Sequence, residues 1–143
     1  MNTDLRKSKR IPDYLPITVI AQDGVSGEKL AGPFSGRILN ISKHGACLLM
    51  TQVMLGTYHL FHSTRANDSS VLLLNFSLPP DLVVFSIPSR PVWMDIFQQD
   101  VIRAFKIGVE FMVSPEGRQI KDLLRAMEKQ QKERARWWEA HTA

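Results

Sequence analysis

FSGRILNISKHGACLLM, residues 34–50, sets two short apolar runs, FSGRIL (34–39) and ACLLM (46–50), on either side of the polar stretch NISKHG (40–45). Short apolar runs around Asn, Ser and Gly read as two strands joined by a tight turn, because Asn and Ser bond nearby backbone and Gly accepts unusual φ or close approach. Upstream, PITVIAQ (16–22) is rich in β-branched residues and runs into the turn-forming DGVSGEKLAGP. Downstream come VLLLNFSLP (71–79), LVVFSIP (82–88), PVWMDIF (91–97) and RAFKIGVEF (103–111), which makes six or seven strands. No helical pattern separates them, so parallel crossovers are excluded and the expectation is a mostly β, antiparallel barrel or sandwich.

After SPEG the period changes. Ile120, Leu123, Leu124 and Met127 recur at helical spacing among charged residues. Ser114 as N-cap, Pro115 in the first turn and Glu116 near the positive end of the dipole predict a C-terminal helix over 115–140. It runs through RARWWEA, with Ala135 and Trp138 continuing the stripe. Adjacent helical residues point about 100° apart. Trp138 is therefore expected on the barrel and Trp137 along the surface, with a partner-binding or dimerising helix end as the other reading.

The chain has 143 residues, 44% hydrophobic and 22% charged, the balance of one soluble globular domain covering residues 1–143. Cys47 is the only cysteine, which excludes an intrachain disulfide and a cysteine-based zinc site and favours a reducing compartment. The start, MNTDLRKSKRIPDYLP, has no apolar segment of the secretory kind, and no stretch approaches a membrane span. A cytoplasmic protein without membrane insertion is expected.

The net charge of +4 is unevenly placed. Residues 1–10 carry Arg6, Lys7, Lys9 and Arg10 against Asp4; residues 11–115 carry seven basic and eight acidic groups; residues 116–143 carry seven and five. A near-neutral body argues against a broad nucleic-acid face. A basic arm over residues 1–12, ahead of a barrel over 13–113, suits a small anion instead.

No nucleophile elbow, metal-binding helix motif or phosphate-cradling loop is present, and the acids occur singly, so no catalytic residues and no metal are expected. His59 and His62, in YHLFH, are the one close histidine pair; on a strand they would face opposite sides. Cys47 and Met50 read as core positions.

Arg6 and Arg10 in the form RxxxR, followed by Asn40, Ser42 and Gly45 in the form [D/N]xSxxG, resemble the two-part signature of the PilZ family. The order, the setting between strands, and KIGVEF leading into the terminal helix extend the resemblance over nearly the whole chain. It implies a six-stranded antiparallel β-barrel with a C-terminal α-helix, acting as a bacterial receptor for cyclic di-GMP, with no cofactor and no catalysis. By this resemblance Arg6 and Arg10 grip the ligand, Asn40 bonds a guanine edge, Ser42 contacts the ligand or fixes the turn, and Gly45 leaves it room. Lys7, Lys9, Lys43 and His44 fill the variable slots, and Arg37, just before the turn, would add a further contact to the ligand. The output would pass by contact to an effector protein in motility or biofilm control, with a homodimer also compatible. The alternative within the family is an adaptor that docks on a partner without nucleotide.

Overall fold

In the computed structural model, which describes residues 11–78 and 83–142, the apolar alternation resolves into eight strands and two helices. They are β1 (Ile11–Asp23), β2 (Lys29–Ile41), β3 (Gly45–Met50), β4 (Met54–Leu55), β5 (Tyr58–His59), α1 (His62–Ala66), β6 (Ser70–Leu78), β7 (Val83–Gln99), β8 (Ile102–Phe111) and α2 (Arg118–Thr142). Six strands close a barrel in the order β1-β2-β3-β8-β7-β6, every pair antiparallel, while β4 and β5 form a separate two-stranded piece. The expected barrel and terminal helix are thus both present.

Period-two alternation fills the interior. Leu15, Ile17, Val19 and Ala21 of β1 face Leu72, Leu74, Phe76 and Leu78 of β6, and Ala46, Leu48 and Met50 of β3 face Ile107, Val109 and Phe111 of β8 in one continuous core. Chain direction then fixes the two ends. Because Gly45 pairs with Glu110 and Met50 with Phe105, β3 leaves the barrel at the end opposite to that where β8 leaves it. The segment 51–66, which carries β4, β5 and α1, follows β3 and adds Val53 and Leu60 to the core; α2 follows β8 and adds Ile120, Leu123 and Met127.

The two strands expected at 82–88 and 91–97 are one strand; Leu82, like Pro79 of the preceding run, lies outside the described residues. Proline lacks a ladder donor and is tolerated where a strand has one neighbour. Pro88 pairs with Leu73 of β6 just before the β8 pairing begins at Ser89, and Pro91 pairs with Val109 of β8 just after the β6 pairing has ended at Ser89. Each proline occupies such a position, so neither interrupts β7.

YHLFH is strand only at Tyr58–His59, which is β5. The chain turns from β5 into α1, which brings the His59 and His62 rings to 4.4 Å between centroids instead of placing them on opposite faces. Nδ1 of His59 accepts hydrogen bonds from the backbone N–H groups of Phe61 and His62, both at 3.1 Å, and the Ser63 hydroxyl accepts from the His59 N–H at 2.8 Å. Burial first, then the neighbouring His62, hold the His59 pKa below the ordinary histidine value. The neutral ring is the folded form, so its contribution is complete above the unfolded pKa of about 6.5 and is lost as pH falls through the folded value. Urea midpoints measured from pH 8 down to pH 5 should fall in that window. His59→Asn, which keeps an acceptor but cannot titrate, should flatten the fall; an equal slope in both proteins would remove His59 as its source.

Helix α2 starts later than the sequence suggests. Ser114–Gly117 is a separate turn, with Gly117 N–H bonded to Ser114 O at 3.0 Å and Lys121 N–H to Gly117 O at 3.1 Å. From residue 132 to 140 every side chain is exposed, so about 14 Å of helix runs past the barrel. Trp138 is accordingly 61% exposed and Trp137 54%, each edge-on to the other, and the expected seat of Trp138 on the barrel is not found.

Candidate ligand site

The signature turn is built by its own polar groups. Ser42 N–H donates to Gly45 O at 2.8 Å, and the Ser42 hydroxyl accepts from His44 N–H at 3.3 Å. At 2% exposure Ser42 is a turn-fixing residue whose hydroxyl is spent inside the loop. Gly45 answers a backbone constraint: a Cβ there would run into the carbonyl oxygen of Val109, so glycine lets β3 approach β8. Lys43, from a variable slot, reaches Glu116 at 3.3 Å and ties the turn to the segment that enters α2.

Asn40 is aimed by a bulge. Ile38 pairs with Leu48, but Asn40 pairs with Cys47, so β2 holds one residue more than β3 at this point. Ile38 and Ile41 both face the core, which strict alternation forbids. The extra residue turns Asn40 outward, where simple continuation from Ile38 would have buried it. Cys47 is buried, yet it alternates with Ala46 and Leu48 and stands outside the core cluster, on the outer face beside Asn40.

Along that outer face the register reads Asn40, Cys47, Gly108, Trp93, across β2, β3, β8 and β7. The indole of Trp93 lies over Gly108, where any Cβ would meet Nε1, Cε2 and Cδ1 of the ring. Asn40 and Gly108, over which the indole lies, stand two strand spacings apart, about 10 Å. Trp93 is 42% exposed. Sequence reading missed it as a site residue, because its contact with Gly108 is set by pairing between strands and not by local spacing.

Arg37 stands three residues before Asn40 on β2, paired with Pro16 of β1 and Leu49 of β3. It borders an open groove of about 600 Å³ that continues across Thr18 and Ser35 to Asn75 and Ser77 of β6. Arg6 and Arg10 lie outside the described residues. Their attachment point does not: Ile11 pairs with Ile41 and Pro12 with Asn40, so the basic arm is rooted beside the signature turn. Among the described residues no group of three or more His, Cys, Asp or Glu is placed to hold a metal, and no helix is long and apolar enough to cross a membrane.

A closed antiparallel barrel carrying a C-terminal helix, with a polar turn beside the start of β1, defines the class of domain. The chain belongs to the PilZ domain family, whose profile matches residues 4–129. Among solved structures it is similar to the PilZ domain with c-di-GMP of YcgR from Escherichia coli, at 16% identity over 92% of this chain and 97% of that one, TM-score 0.60. It is also similar to MrkH of K. pneumonia in its apo state (17% identity, 94% of this chain and 55% of that one, TM-score 0.55). A third is the Borreliella burgdorferi PlzA protein in complex with c-di-GMP (11%, 91% and 53%, TM-score 0.51). The chain spans about half the length of these last two. At these identities the likeness is one of fold. No curated protein is close enough to count as a match.

Proposed function

We propose that this chain is a cytoplasmic cyclic di-GMP receptor that holds the dinucleotide between the N-terminal arginines and the barrel's signature turn, on the outer face that carries Asn40 and Trp93. The observation that carries this is the pairing of Ile11 with Ile41 and of Pro12 with Asn40, which roots RxxxR against NxSxxG. Membership of the family and the c-di-GMP held by two of the similar structures support the same reading.

The chemistry fits the ligand. Guanine shows two acceptors, O6 and N7, on its Hoogsteen edge, which a guanidinium fork matches in a bidentate way, and the same charge pairs with phosphate. Arg6 and Arg10 supply two such forks and Asn40 an outward amide. Trp93 offers a flat surface on which a base can stack. Ser42 and Gly45 serve this site by shaping the turn and seating β3 on β8. Ligand binding would draw the arm across the outer face and change the surface shown to an effector protein, to the extent that the ligand prefers that state.

Calorimetric titration with cyclic di-GMP, and with cyclic di-AMP as control, tests the proposal. Guanine-selective binding is expected, and Arg10→Ala should lose about 2 kcal/mol, roughly thirtyfold in affinity. Absence of binding by the unmutated protein would overturn the receptor reading and leave an adaptor that works without nucleotide.

A further inference from the structure

Beyond Ser89, β7 has lost β6, and before Phe105, β8 has not yet met β3. Residues 93–104 therefore form a two-stranded ribbon that stands out from the barrel, with Gln99 paired to Ile102 around Asp100–Val101. Asp100 takes φ 55° in this turn. Arg65 caps the β7 edge at its base, donating to the carbonyl oxygens of Pro91 at 2.8 Å and Val92 at 3.4 Å. Further out, no strand among the described residues pairs with that edge.

An open edge of this kind is a template for another strand, and proteins usually guard it with charge, proline or a cover. Here the edge segment 93–99 carries a single charge, Asp95, with Ile96 56% exposed and Phe97, Val101 and Ile102 also exposed. Arg103 of the ribbon and Lys106 at its base each sit over a nearby ring. Lys106 Nζ lies 5.2 Å from the centroid of Phe97, and the Arg103 guanidinium lies 5.7 Å from that of Phe105. Asp95, Asp100 and Arg103 of the ribbon and Lys106 at its base sum to zero charge, offering no net field to an acidic or a basic partner.

It does offer complementarity to itself. We infer that the occupant of this edge is a second copy of the chain, paired antiparallel through β7 about a two-fold axis at Ile96. A two-fold contact must present the same surface from both sides. In this register Ile96 meets its own copy on one face. On the other face, Asp95 falls opposite the second copy's Phe97, the ring over which the second copy's Lys106 lies. Symmetry makes two such Asp95–Lys106 pairs, and the unpaired backbone groups of both edges gain partners. This association is separate from the nucleotide reading and is tested without nucleotide.

Sedimentation of the full chain over a wide concentration range should show a monomer–dimer equilibrium. Ile96→Lys sets two like charges together at the axis and should raise the dimer dissociation constant about tenfold or more. Asp95 also faces Lys106 across its own ribbon, so the exchange is made between chains. Asp95→Lys and Lys106→Asp should each weaken the homodimer, and an equimolar mixture of the two should associate again, because opposite charges then meet only across the interface while the pair within each ribbon stays like-charged. A monomer at every concentration overturns the inference, as does a dimer indifferent to Ile96→Lys and to the charge exchange.

Discussion

Gly45→Val is expected to destabilise the protein by about 3 kcal/mol, the upper end of the cost of overpacking. The reason is the nature of the obstacle. A Cβ at residue 45 would meet the Val109 carbonyl oxygen and lie 3.3 Å from the Cα of Glu110, both parts of the β8 main chain, so no side-chain rotation relieves the contact. The strand pair β3–β8 must open at Gly45–Glu110, and the bond from Ser42 N–H to Gly45 O is disturbed with it. Urea denaturation should show a lower midpoint with an unchanged slope. An unchanged midpoint would mean that the turn can move away from β8 without cost. Cyclic di-GMP affinity should fall in the same variant through displacement of Asn40.

Trp93→Ala is expected to do the opposite, weakening the ligand while leaving the fold nearly intact. Stacking of a base on an aromatic side chain contributes about 1–3 kcal/mol, roughly 5- to 150-fold in affinity. The ring is partly exposed and rests on the outer face over Gly108, outside the barrel core, so its removal opens no cavity there. Titration calorimetry should show the loss, and Trp93→Phe should recover much of it. Equal affinity in Trp93→Ala and the unmutated protein would remove the indole from the site and leave recognition to Arg6, Arg10 and Asn40.

The two variants divide the site into parts that differ in how far they can be read from sequence. Asn40, Ser42 and Gly45 are visible as a turn because turn chemistry is local: three residue types within six positions. Their separate tasks are not visible. Ser42 is spent inside the loop, Gly45 faces a carbonyl on another strand, and Asn40 reaches the outer face only because β2 carries an extra residue. A one-residue change of register moves a side chain from one face of a sheet to the other, and nothing within FSGRIL announces the bulge.

The same distinction runs through the fold. Alternation of apolar residues in β1, β6 and β8, and the spacing of Ile120, Leu123 and Met127, were enough by themselves to indicate an antiparallel barrel followed by a helix, since each pattern is a property of one segment burying one face. The sequence also placed the basic arm ahead of the first strand. Tertiary structure alone decided that Pro88 and Pro91 lie within one long strand, that Trp93 crosses Gly108, that Trp138 stands beyond the barrel, and that residues 93–104 leave an open edge. Each of these depends on where a neighbouring strand begins or ends, and such boundaries are set by pairing between residues far apart in the chain.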